Sequence, residues 1–82
     1  MKAVITVLGK DTVGILAKVS SICASHNINV TEVTQSILGD LFAMLMLVDL
    51  EKSTISVGEL SDQMKALGAE IGQVIHVMHE DI

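Results

Sequence analysis

A carboxylate lies between two glycines in the segment Leu8–Leu16, LGKDTVGIL. Gly9 is suited to a sharp turn of the backbone, and Gly14 would leave space over the first turn of a helix, whose free N–H groups attract a small carboxylate. Asp11 could hold an ammonium group, and Asn29 offers both a donor and an acceptor. An α-amino acid carries this pair of charges. The spacing alone favours the simpler interpretation, a tight strand-to-helix turn with a good N-cap.

The other reactive residue types fit ordinary structural roles. Cys23 is the single cysteine and falls on the apolar side of a predicted helix, where a packed core thiol is far more common than a reactive one. His76 and His79 are three residues apart on a predicted strand, so their imidazoles point to opposite faces. No nucleophile is paired with a general base. We therefore expect no enzyme activity, no metal site and no cofactor.

Composition excludes several classes of protein. The 82 residues are 50% hydrophobic, which excludes disorder, and five lysines against ten carboxylates give a net charge of −5. Nucleic-acid binders carry a basic stripe and usually aromatic platforms, whereas Phe42 is the only aromatic residue here. Neither nucleic acid nor an anionic membrane is an expected partner. The longest apolar run, residues 41–48, is too short to span a bilayer. The lone cysteine and the lack of a signal-peptide pattern predict a cytoplasmic location.

Two strongly apolar segments predict the central strands of a sheet. Lys2–Leu8 and Leu41–Leu50 are apolar at both odd and even positions, as expected for strands covered on both faces. Ile28–Leu38 and Gln73–His79 alternate more weakly and predict edge strands, the first of them bulged. Gly39-Asp40 is a two-residue hairpin signal.

A first helix is predicted between the first two strands. From Val13 onward apolar residues recur at helical spacing, which predicts a helix of about 14 residues. Asp11 or Thr12 is the expected N-cap, because either side chain could accept from amides of the first turn. Asn27 suits a left-handed stop at the end.

A second helix has a clearer start. Ser56-Val57-Gly58-Glu59 matches a capping box, in which Ser56 is the N-cap and Glu59 reaches back. Gly72 suits the left-handed residue after the helix, and Gly68 is expected to weaken the last turn.

The element order is therefore β-α-β-β-α-β, which predicts an α+β, ferredoxin-like sandwich in a single domain, residues 1–82. Right-handed crossovers give a four-stranded antiparallel sheet of order 4-1-3-2 with both helices on one face. The other face keeps apolar residues that a monomer leaves uncovered. This predicts a homodimer.

The sequence resembles a known family, the ACT domain. The matching residues are Gly9-x-Asp11-x-x-Gly14-Ile15-Leu16-Ala17-x-Val19, then Asn27-Ile28-Asn29-Val30, Gly39-Asp40 and the closing Val77–Ile82. The chain is most similar to short stand-alone ACT proteins of the glycine-cleavage-repressor type. Val13 stands where the family frequently has a proline.

ACT domains are regulatory βαββαβ modules that bind amino acids, usually at a dimer interface. The resemblance implies that Asp11 and Gly14 contact a ligand together with Asn29 of the neighbouring subunit. With the flanking residues, the candidate ligand-binding set is Gly9, Asp11, Gly14, Ile15 and Asn29.

Two functions follow as hypotheses. The first is a non-catalytic regulatory module that binds an amino acid between two copies of the chain and acts through a separate protein partner. The alternative is a ligand-free assembly module, in which the sheet edge and the apolar face bind protein and the glycine turn is only structural. Stabilisation by one of the twenty amino acids would separate them.

Overall fold

The computed structural model describes residues 1–79. Its elements are β1 (Lys2–Lys10), α1 (Ile15–Ser25), β2 (Asn29–Leu38), β3 (Leu41–Asp49), α2 (Val57–Ile71) and β4 (Gln73–His79). The sheet order is β2-β3-β1-β4, and all neighbouring strands are antiparallel. The predicted ferredoxin-like fold and strand order are confirmed. Residues 80–82, which the sequence resemblance included, lie outside the described residues.

One face of the sheet and the two helices enclose the core. Alternate residues of the central strands β1 and β3 point toward the helices and are buried, whereas their neighbours in sequence point to the other face. The buried set from these strands is Ala3, Ile5, Val7, Phe42, Met44, Met46 and Val48. From the helices, Ile15, Val19, Cys23, Leu60 and Met64 belong to the same core, together with Ile28, Leu50 and Ile75 from other segments. The helical stripes predicted from sequence therefore form the second layer.

The irregular points of the chain are also where the sequence predicts them. The register of β2 against β3 shifts between Val30 and Glu32, which confirms the bulge in this edge strand. Leu38 pairs with Leu41 around a two-residue hairpin, and Asn27 has a φ of 60° after the end of α1. The bulge and the left-handed turn together set the direction in which β2 leaves α1.

The start of α2 is a complete capping box. The Ser56 side chain accepts from the backbone N–H of Glu59 at 3.1 Å, and the Glu59 carboxylate accepts from the backbone N–H of Ser56 at 3.2 Å. Two amides that a helix start leaves without partners are thus satisfied reciprocally.

Removing this cap tests the helix start. We expect Ser56→Ala to lower the free energy of unfolding by about 1 kcal/mol, because the Glu59 amide loses its acceptor. Ser21→Ala, on the exposed side of α1, is the matched control and should change it by less than about 0.5 kcal/mol. Denaturant melts followed by circular dichroism measure both, and equal losses would contradict the assignment.

Near its C-terminal end α2 runs very close to β4. A Cβ placed on Gly68 would overlap the backbone carbonyl oxygen of Gln73 and would lie 3.3 Å from Cγ1 of Ile75. Gly68 is buried. The sequence suggested only a weakened helical turn here, whereas the structure shows that the missing side chain permits the contact between helix and strand.

Candidate functional site at the turn between β1 and α1

The turn that joins β1 to α1 lies at one end of the sheet, beside the β2–β3 hairpin. The backbone N–H of Asp11 donates to the carbonyl oxygen of Asp40 at 2.9 Å, which ties the two loops together. Asp11, Thr12 and Val13 are exposed, and 97% of the Val13 side chain is accessible to solvent. The turn is therefore anchored at its base and open at its tip.

The helix start that follows has no side chain to cap it. Gly14 is the N-cap residue and has a φ of 86°. Its carbonyl oxygen accepts from the backbone N–H of Lys18 at 3.0 Å. The first turn contains no acidic residue. The N–H groups of the first helical residues therefore have neither an intrahelical acceptor nor a cap, and they form an electropositive site for a small anion.

The predicted N-cap, Asp11 or Thr12, is wrong, and α1 has 11 residues where about 14 were expected. The physical reason is the left-handed conformation of Gly14, which turns the chain immediately before the helix and keeps the earlier side chains away from its axis. The Asp11 carboxylate is consequently not used as a helix cap. This removes the simpler explanation for an aspartate at that position.

Gly9 has a different role from the predicted one. It lies inside β1, paired with Phe42 on one side and Gln73 on the other, and its φ is not positive. A Cβ here would come within 2.6 Å of Gln73 Oε1 and 2.7 Å of the Gly72 carbonyl oxygen. The prediction that Gly9 turns the backbone is wrong, since it is needed to make room for the Gln73 side chain.

Gln73 is a residue that the sequence analysis did not single out. Its side chain is buried, and Nε2 donates to the carbonyl oxygen of Lys10 at 2.6 Å. This bond fixes the last residue of β1, immediately before the turn. The sequence did contain a signal for this role. Gln73 is a polar residue on the edge strand β4, and it has the same parity as the core residue Ile75.

Ile15 and Asn29 are placed very differently by the fold. The Ile15 side chain is only 3% exposed and belongs to the core, so only its backbone N–H is available to a ligand. Asn29 begins β2 and pairs with Asp49, which pairs with Lys2. Asn29 therefore lies at the opposite end of the sheet from Asp11. The two ends are about 26 Å apart, because eight residue steps of β1 separate Lys2 from Lys10. One chain therefore does not bring Asp11, Gly14 and Asn29 together.

The surroundings of Asn29 form a polar depression of about 440 Å³ at the C-terminal end of α1. Asp49, Glu51 and Lys52 contribute to its wall, and the Asn27 side chain donates to the Lys52 carbonyl at 3.1 Å. Two carboxylates and a helix C-terminus make this end of the molecule favourable to a positively charged group.

The remaining reactive side chains do not converge on either end. His76 pairs with Thr6 and His79 with Ala3, an odd separation along β4, so the two imidazoles point to opposite faces as predicted. Within residues 1–79, no group of three His, Cys, Asp or Glu side chains is placed to hold a metal ion. In the same part of the chain, no helix is long and apolar enough to cross a membrane.

Cys23 is fully buried on α1, and burial raises the pKa of its thiol to about 11, from an ordinary value of 9.0. We expect iodoacetamide at pH 8 to leave the folded protein unmodified and to alkylate it in denaturant. Because the folded pKa is the higher one, the stability present below pH 9 should decrease as the pH rises from 9 toward 11. Mass spectrometry of the reaction measures the first effect, and rapid native alkylation would contradict the burial.

Comparisons with known proteins identify the family to which the chain belongs. The model of the ACT domain matches residues 2–78. The chain belongs to the ACT domain family. A UPF0237 protein of Methanopyrus kandleri is 47% identical over 81 residues, which are 99% of this chain and 90% of the relative.

Solved structures extend the similarity to the whole architecture of this ACT domain. An ACT domain protein from Streptococcus pneumoniae superposes with a TM-score of 0.84 at 32% identity, over 95% of this chain and 88% of that one. The regulatory subunit of aspartate kinase from Thermus thermophilus, in a ligand-free form, superposes with a TM-score of 0.70 at 28% identity. That match covers 93% of this chain and 49% of the subunit. The protein thus shares the fold of these two structures over nearly its whole described length.

Proposed function

We propose that this ACT domain binds a free α-amino acid at the turn between β1 and α1 and acts as a non-catalytic regulatory module in the cytoplasm. The observation that carries the proposal is the uncapped start of α1, next to an exposed aspartate that is not used as a cap. Helix-start amides bind the carboxylate of the ligand, and Asp11 binds its ammonium group. The two charges of the zwitterion thus find opposite partners a few residues apart.

A second copy of the chain completes the site. Asn29 and Asp11 are at opposite ends of one sheet, so Asn29 reaches the turn only from another subunit. Antiparallel pairing of β2 with β2 of a partner sets residue 29 opposite residue 38, because the strand runs from 29 to 38. Leu38 pairs with Leu41, at the end of the sheet that carries the turn. This edge-paired dimer is the homodimer we propose.

The outer strand supports such pairing. Val33 and Ile37 lie on the helix-facing side of β2, since they pair with the buried Met46 and Phe42. They are nevertheless 40% and 57% exposed, and Leu16 of α1 is 38% exposed. An exposed edge strand flanked by apolar side chains is the surface that a second copy would cover.

The alternative is assembly without a ligand, and the same exposed strand favours it. Pairing of β2 needs no amino acid, and the turn could serve only to start α1. The regulatory proposal additionally requires a separate protein partner to receive the signal. The aspartate kinase subunit named above is a regulatory subunit, a role consistent with that requirement.

A thermal-stability screen of the twenty amino acids tests the proposal. A ligand present at one hundred times its Kd should stabilise the folded protein by about 2.7 kcal/mol. For 82 residues this should raise Tm by about ten degrees or more. Circular dichroism is the suitable signal, because the chain has no Trp or Tyr. If none of the twenty raises Tm at millimolar concentration, the assembly function is the better account.

A further inference from the structure

The sheet face away from the helices is largely apolar and uncovered. Alternate residues of the central strands point to it, and within residues 1–79 no helix packs against this face. Leu8 and Leu45 are each 48% exposed, and Val74 on the adjoining strand is 58% exposed. A shallow depression of about 400 Å³ lies among them, where Ala43 leaves space between larger neighbours.

The charge of this face differs from that of the whole chain. Its charged strand residues are Lys2, Lys10, Glu32 and Asp49, so their formal charges cancel. The chain as a whole carries −5. Two copies therefore repel one another through most of their surfaces, but not through this face.

We propose that this face is covered by the same face of a second copy, so that two edge-paired dimers stack into a tetramer. The inference uses the edge-paired dimer of the proposed function but does not depend on the ligand. Four strands about 4.8 Å apart and on average about nine residues long present about 570 Å² per chain. Stacking two paired sheets then buries about 2,300 Å² in total, enough for a stable interface, which needs about 1,200 Å² or more.

Charge and symmetry select the orientation of the stack. Lys2, Glu32 and Asp49 lie at one end of the face and carry −1 together, and Lys10 lies at the other end. Reversing the strands of one sheet over the other sets these unlike ends against each other. The same reversal is a two-fold operation that closes the assembly at four chains when its axis crosses the middle of the sheet.

The row across the middle of the sheet meets that condition. It consists of one residue from each strand, Thr34, Leu45, Thr6 and His76. Because the bulge leaves one residue of β2 unpaired, Thr34 is the middle one of its nine paired positions, and the axis of the edge pairing passes through it. In the reversed stack, the rows on the two sides of this central row lie over each other. Leu47 of one copy therefore lies over Ala43 of the second copy. A large side chain thus fills the depression that a small one leaves.

Light scattering of Leu45→Lys against the wild type tests the stack. The Leu45 side chain is half exposed in one chain, so the substitution should be tolerated by the fold, yet it buries a charge at the centre of the interface. We expect the wild type to have the mass of four chains at tens of micromolar, and Leu45→Lys to have half of it. Ala66→Lys, on the exposed side of α2, makes the same charge change and should keep the wild-type mass.

Leu8→Lys on the neighbouring row is a second variant, in case Leu45→Lys unfolds. A wild-type mass that neither variant reduces would overturn the proposal. If an amino acid raises Tm equally in the wild type and in the half-mass variant, the proposed function stands, because the stacked face contributes no residue to the ligand site. Failure of the stack and failure of ligand binding are therefore seen in separate measurements.

Discussion

Asp11→Ala is expected to abolish the stabilisation that the bound amino acid gives, a loss of about ten degrees in the ligand-induced rise of Tm. In the proposed site, the Asp11 carboxylate is the charged partner of the ligand's ammonium group. Because the Asp11 side chain does not cap α1, the free energy of unfolding of the unliganded variant should lie within about 0.5 kcal/mol of the wild-type value. Thermal melts with and without the amino acid found in the screen measure both quantities.

Asp62→Ala provides the control for this prediction. Asp62 is exposed on α2, and its replacement changes the net charge by the same amount. It should respond to the ligand as the wild type does. A full response from Asp11→Ala as well would move the ligand away from this turn, whereas a large loss of stability without ligand would show that Asp11 supports the fold.

Gly68→Ala should destabilise the fold strongly although it adds a single methyl group. The new methyl group would overlap the Gln73 carbonyl oxygen, a backbone atom that no side-chain rotation can move. We expect a loss of about 2–3 kcal/mol, because α2 must shift away from β4. Denaturant melts measure it.

Gly58→Ala is the matched substitution in the same helix. The nearest atom to its added Cβ is Ser56 Oγ at 3.8 Å, so nothing has to move. Alanine in place of glycine should then stabilise the helix by up to about 1 kcal/mol. If the two variants changed stability by similar amounts, the close contact between α2 and β4 would be contradicted.

The architecture was predictable from the sequence because its signals are local. Apolar residues at both parities identified the two central strands, and the capping box at Ser56 located the start of α2 to the residue. The bulge in β2 and the left-handed Asn27 also follow from residue type and position. Where propensity, periodicity and turn chemistry agree, few topologies remain.

The contacts between distant segments were not predictable in the same way. The sequence analysis expected Gly9 to turn the backbone and Gly14 to leave space, yet Gly9 makes the space, for Gln73, and Gly14 takes the positive φ before α1. Gly68 likewise looked like a weak helix residue. What each glycine permits depends on the atom opposite it, and no local pattern records that atom.

The candidate site shows the same division. The helix start and the exposed Asp11 belong to one short segment, so their proximity follows from the sequence, whereas the absence of a side-chain cap does not. Asn29 was grouped with them for its amide side chain and through the family resemblance, whereas the strand register places it at the other end of the sheet of one chain. The proposed site is thus composite, with the turn from one chain and Asn29 from the other.

Mixing two defective variants tests whether Asp11 and Asn29 act together across two subunits. Asp11→Ala lacks the aspartate in every site, and Asn29→Ala lacks the asparagine in every site, so each alone should bind the amino acid weakly. Refolding them together makes mixed dimers, in which one site has both residues and the other has neither. Random mixing should restore wild-type affinity in about one quarter of the sites, measured by calorimetry. No restoration, with both variants defective alone, would mean that the two residues do not act across subunits and would contradict the account.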